Sequence, residues 1–166
     1  MKRYIKQKVF SWGDKFSIFD EFQNEIHYVE GEPISLGKKL HLYGSKYDDE
    51  ECYIHQKAFS LLPRYFIDIP DKPEIEVLKE FKLFKQEYTV DPIGWKIEGD
   101  FFAHTYEITH HGELVAAVAK QWLAWGDTYE IEIIHDEDEI AVLALILVID
   151  AVLQDSASAA ASASTN

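Results

Sequence analysis

The sequence predicts a mainly β fold, a closed antiparallel barrel of about twelve short strands around a buried C-terminal α-helix. The first observation is the run from Ile140 to Ile149, which holds no polar side chain. It is long for a half-buried strand, and its Ala and Leu content favours helix. It falls short of the roughly 20 apolar residues a bilayer-spanning helix needs, and Asp150 breaks it. A helix that is apolar on every face must be surrounded by protein, so residues 137–154 are expected to form one buried helix. The second observation is that the preceding chain divides into short alternating segments with turn residues about every 8–12 positions. The third is a corner pattern: Lys, any residue, Phe or Trp, then a second aromatic eight or nine positions after the Lys. It occurs at Lys8-Val9-Phe10 with Phe16, Lys57-Ala58-Phe59 with Tyr65, Lys79-Glu80-Phe81 with Tyr88, and Lys120-Gln121-Trp122 with Tyr129. The expectation is that each corner plugs an aromatic inward beside the helix while Lys covers the rim. A closed sheet has room for an apolar rod and removes exposed edges; two packed sheets do not have that room.

In order, residues 4–10 alternate and Gly13-Asp14 turns the chain into a strand at 15–20. Asn24 is a hairpin tip before the strand at 25–30, which Gly31-Glu32-Pro33 ends. Residues 36–43 form a strand, 44–51 an acidic loop, and 52–59 a strand. Pro63 removes a ladder donor and restricts Leu62, which makes a turn before the strand at 64–69. Pro70-Asp71-Lys72-Pro73 turns the chain again. Residues 74–85 fit helix and strand periods alike and are assigned to strand because their neighbours are strands. Strands follow at 87–90 and 95–98, separated by Asp91-Pro92-Ile93-Gly94, and Gly99 stops the second. At 102–109, Phe102, His104, Tyr106 and Ile108 face one way. His110-His111-Gly112 is a tight hairpin connection with glycine where positive φ is wanted. Strands at 114–122 and 129–133 flank a turn at Gly126-Asp127. Residues 1–155 make one barrel domain, and 156–166, all Ser, Ala, Thr and Asn, are expected to be disordered.

Composition narrows function. The 30 acidic against 16 basic residues give a formal charge of −14, which argues against a general nucleic-acid binder. Cys52 is the single cysteine, so no internal disulfide forms, and a reducing compartment is expected. The N-terminal basic residues precede no apolar segment of the signal-peptide kind. A cytoplasmic protein without a transmembrane segment is the expectation.

Several side-chain groups suggest chemistry. The run Asp136-Glu137-Asp138-Glu139 lacks the spacing of a calcium loop and reads as carboxylates answering a helix N-terminus. His104, His110, His111 and Glu113 read as surface residues rather than metal ligands, and no cofactor or metal is expected. Cys52 and His55, three apart on a strand, point to opposite faces, which leaves Cys52 a structural thiol. Asp150 reads as the point where the helix leaves the barrel and meets water. The alternative is a buried carboxylate of raised pKa, held by Lys, Tyr or Trp. The basic clusters are Lys2, Arg3, Lys6 and Lys8, then Lys38 and Lys39, then Lys79, Lys82 and Lys85. Gathered on one barrel face they would meet an anionic lipid head group or phosphate; as edge residues they would block strand pairing.

The corner repeats, Gly99-Asp100-Phe101, Tyr106-Glu107-Ile108-Thr109 with Gly112, Trp125-Gly126-Asp127-Thr128-Tyr129, and an apolar helix ending in Ile149-Asp150 resemble the LURP-one-related family over about residues 2–154. That family is similar in fold to the tubby C-terminal domain and the phospholipid scramblases. The resemblance implies a twelve-stranded antiparallel barrel around a central C-terminal helix. It brings no activity with it. Tubby domains bind phosphoinositide head groups through a basic pocket, but no string here matches that pocket. The functional expectation is therefore a non-enzymatic binding module that uses the barrel exterior to meet an anionic lipid, a phosphate-bearing ligand or a protein partner. The alternative is a ligand carrier or enzyme with a pocket at the barrel mouth.

Overall fold

The computed structural model of the chain describes residues 1–6, 15–44, 50–82, 85–123 and 126–163. Within them, the side chains of residues 6, 16, 80–82, 85–87, 122–123, 126–127, 158 and 163 are not described. The strands are β1 (Lys2–Lys6), β2 (Lys15–Phe19), β3 (Glu25–Gly31), β4 (Lys39–Tyr43), β5 (Glu50–Gln56) and β6 (Arg64–Asp68). They continue as β7 (Ile75–Lys82), β8 (Lys85–Asp91), β9 (Lys96–Asp100), β10 (Thr105–His110), β11 (Glu113–Leu123) and β12 (Gly126–Ile133). A 3₁₀ turn (Asp136–Asp138) leads into α1 (Glu139–Ala163).

All twelve strands form one antiparallel sheet in the order β8-β7-β6-β5-β4-β3-β2-β1-β12-β11-β10-β9. The first and last strands pair with each other, Lys2 opposite Glu132 and Ile5 opposite Tyr129. The flanks β8 and β9 meet through a Val90–Trp95 bridge, so the barrel is nearly closed. Every strand thus neighbours the strand before and after it in sequence, the simplest antiparallel order.

Alternation decides what faces inward. β4 and β6 bury every second residue, and Ile5, Ile18, Val29, Leu42, Ile54 and Ile67 from six successive strands have 0–1% exposure. These side chains close on α1, where Leu143, Leu145 and Leu147 are each at most 1% exposed. The rod therefore fills the barrel. By length and composition α1 would suit a membrane span, but 72% of its most apolar window is buried inside the sheet. Burying a Leu or Ile side chain is worth about 1.5–3 kcal/mol, so this interface is the main source of stability.

Several expected boundaries move. The helix begins at Glu139, after the 3₁₀ turn, and runs on through Ser156–Ala163 rather than ending at Gln154 in a disordered tail. Alanine has the highest helix propensity, and Ser156 and Ser162 donate their hydroxyls back to Val152 and Ala159 carbonyls, so continuing the helix costs little. β4 starts at Lys39, not Leu36, which is 71% exposed. β9 passes through Gly99 instead of stopping there: at φ 144° an added Cβ would lie 2.5 Å from the Tyr106 Cα, a close approach that glycine permits. Residues 102–104 form a turn, so Phe102 does not share the inward face of Tyr106 and Ile108 and is 68% exposed. Gly126-Asp127 belongs to β12 rather than to a turn.

The corner rule holds by halves. Tyr65, Tyr88 and Tyr129 are buried as expected, but Phe59, at φ 58°, is 95% exposed. Lys79 is 2% exposed, not a rim residue, and directs Nζ toward Ser156 on α1. The long stem of lysine lets it lie along the wall while its tip reaches the helix. Phe10, Phe16, Phe81 and Trp122 of the same pattern lie outside the described side chains.

Candidate functional site

Two acids stand out on α1 where it meets the barrel, Glu139 at its start and Asp150 near its middle. At its start, Glu139 accepts hydrogen bonds from Arg3 Nε on β1 and, at 2.9 Å, from His27 Nε2 on β3. His27 Nδ1 stands 3.0 Å from Glu51 on β5. Burial alone would push the Glu139 carboxyl up; the bonds from His27 and Arg3 outweigh it and hold it at about 2. Glu139 therefore works through side chains of the wall. The 3₁₀ turn's cap residue, His135, makes no side-chain capping bond.

The second acid is Asp150. It is 4% exposed, so it is not the exit to water that the sequence suggested; α1 continues past it and the wall covers it. Among the described residues neither carboxylate oxygen has a hydrogen-bond partner. His104 Nδ1 is 3.4 Å from Asp150 Oδ1, in attraction but without closing a hydrogen bond. Burial raises the Asp150 pKa, and His104 only partly offsets this.

His104 ends the turn between β9 and β10 with φ 50°. Far from being a surface histidine beside His110 and His111, it stacks on Tyr129 of β12, ring centroids 4.2 Å apart. Its Nε2 lies 3.1 Å from the Tyr129 hydroxyl. His110 and His111 instead pack on each other at the β10–β11 turn. Deeper in the wall, the hydroxyls of Tyr88 and Tyr106 are also buried without a described partner. Burial raises both phenols and the Asp150 charge adds to it.

A cavity of about 300 Å³ opens over this group, lined by Phe102, His104, Tyr129, Asp150, Leu153, Gln154 and Ala157. The four helical residues follow the i, i+3, i+4, i+7 spacing of one helix face. The cavity thus has an aromatic wall, an aliphatic side and a carboxylate in its floor. Both carboxylate oxygens lie beneath that floor, closed to solvent. Unsatisfied buried polar groups are costly, about 1–3 kcal/mol each, and a site is one setting in which they persist.

Among the described residues, the basic side chains of these clusters are spread over separate partners. Lys2 pairs with Glu130, Arg3 with Glu139, and Lys39 with Glu32. Lys38 pairs with Asp155 and donates to the Ala151 carbonyl. Lys38 and Lys79 are brought together around residues 151–156 of α1, away from Arg3 and its partner Glu139 at the helix start. Lys6, Lys82 and Lys85 lie on strands with side chains outside the described set, and Lys8 lies outside the described residues. Cys52 is buried and burial pushes its thiol up, while His55 faces outward between Tyr53 and Phe66, as their strand spacing predicts. His55, Asp68 and Glu74 bring ligand atoms within 4.8 Å of one another on that outer face.

Sequence reasoning found Asp150 but missed His104 and Tyr129 as its companions. Parity grouped His104 with Tyr106 and Ile108, but it lies in the turn before β10, and its stacking on Tyr129 is a contact between segments 25 positions apart.

The family model for LURP-one-related proteins matches residues 1–150 of the chain. The chain is 37% identical over 150 residues to the Bacillus subtilis (strain 168) protein titled "Uncharacterized protein YxjI", covering 90% of this chain and 92% of that one. No solved structure matches significantly.

Proposed function

Starting from the fact that this chain belongs to the LURP-one-related family, we propose that it is a small-ligand-binding domain whose site is the cavity over Asp150. The reading rests on one observation: a carboxylate 4% exposed, with neither oxygen hydrogen-bonded among the described residues, in the floor of a cavity. A stabilising element would have a partner for that carboxylate, as Glu139 has. A pocket of about 300 Å³ is at the small end of ligand sites.

The exterior lysine reading has less support. Lys2, Arg3, Lys38 and Lys39 are each engaged by an acid, so their charge is offset where an anionic head group would have to land. The proposed role is binding, with Asp150, His104 and Tyr129 as the polar groups of the site.

The test is a thermal-shift screen of small metabolites on the native protein and on Ala157→Trp, which fills the mouth from an exposed helix position. At least one compound is expected to raise the melting temperature of the native protein by mass action and to lose that effect in the variant. Shifts that persist undiminished in Ala157→Trp would place the ligand elsewhere and end this reading.

A further inference from the structure

We infer that the cavity takes a small organic cation, an ammonium group on an apolar body, with Asp150 as its counter-ion; this rests on the cavity reading above. The charge of the floor selects the class. Asp150 is the formally charged acid among the lining residues, and the chain as a whole carries −14. An anion would meet repulsion from both, and a neutral molecule would leave the carboxylate uncompensated in low dielectric.

Shape and donors agree with a cation. An ammonium group carries three N–H donors and can address Oδ1 and Oδ2 together, which the single Nδ1 of His104 does not. Tyr129 and Phe102 add aromatic surface whose π faces attract positive charge. Leu153 and Ala157 receive the apolar body.

Both Asp150 oxygens are closed to solvent, so the ligand reaches them by displacing a side chain. His104 is that side chain. It sits 3.4 Å from Oδ1 without completing a hydrogen bond, at the end of a turn, with the exposed Phe102 two residues before it. In the unliganded protein the imidazole stands where the ammonium goes.

The experiment compares three probes of one length by calorimetry and thermal shift: hexylamine, hexanol and hexanoate. The proteins are the native chain, Asp150→Asn and Ala157→Trp, each checked for folding by circular dichroism. Hexylamine is expected to bind the native protein at least about tenfold more tightly than hexanol or hexanoate, and to lose about the same factor in Asp150→Asn. Ala157→Trp should abolish binding of all three. If hexanol or hexanoate binds as well as the amine, or the amine binds Asp150→Asn unchanged, the cation assignment is overturned. The cavity reading survives that result when Ala157→Trp still blocks the probe. If hexylamine does not bind while screen compounds do so in a manner blocked by Ala157→Trp, the cation assignment alone fails. If nothing binds in either experiment, both readings fail.

Discussion

One helix carries a half-buried acid and a buried one, and they are treated in opposite ways. Glu139 is met by a guanidinium and an imidazole, and its carboxyl is held at about 2. Asp150, less than a helix-length further on, is more deeply buried, accepts no hydrogen bond from described residues, and is shifted upward. Asp150 is the more buried of the two, yet depth is not the whole difference. Partners matter as well. β1 and β3 aim Arg3 and His27 at the first acid, while the β9–β10 turn and β12 leave the second beside a misaligned histidine and a cavity. A satisfied buried charge is a fastening, whereas an unsatisfied one beside a hole is a place kept for something else.

Breaking the fastening should have the largest effect. Arg3→Ala leaves Glu139 without its cation and is expected to destabilise the fold by about 3 kcal/mol, read from the midpoint of urea unfolding. A change below a few tenths would mean Glu139 is solvated and the contrast is false.

Removing the other charge should act with the opposite sign. Asp150→Asn keeps the shape and deletes a charge that burial penalises, so a gain of about 1–2 kcal/mol at neutral pH is expected. A loss of that size would show that the ionised carboxylate is already held.

The two acids also diverge with pH. The folded pKa of Glu139 lies below its ordinary 4.5, so its stabilisation is fully present above 4.5 and is lost as pH falls toward about 2. Asp150 has a folded pKa above its ordinary 3.8, so its cost is present at neutral pH and is relieved as pH falls through the raised value. The stability difference between Asp150→Asn and the native protein should therefore shrink on acidification, while the Glu139 contribution is lost toward about 2. Parallel denaturation curves from pH 7 downward would measure both. The smallest effect is expected from Tyr129→Phe, which removes the hydroxyl facing His104 Nε2 and should cost about 1 kcal/mol or less.

The core was readable because its signal is local. Ten consecutive residues from Ile140 to Ile149 without a polar side chain admit few environments, and short alternating segments such as residues 4–10 marked the preceding chain as strands. The family resemblance pointed to the same barrel. The site was readable only at Asp150, and there the favoured reading was wrong, because nothing local told how far the Ala- and Ser-rich helix would continue past it. His104 escaped notice for a different reason. Its neighbour Phe102 follows the same parity yet lies in the turn, so periodicity could not say where β10 begins. Lys79 was assigned to the rim by residue type, and its burial follows from reaching Ser156, a contact between segments 77 positions apart.

Since the rod follows all twelve strands in the chain, a ribosome delivers the walls of this molecule before their filling. Each hairpin can zip as it emerges, but until the rod has emerged the inward rows of Ile and Val have nothing to close on. The strands made first thus wait with their apolar face open for the element made after them.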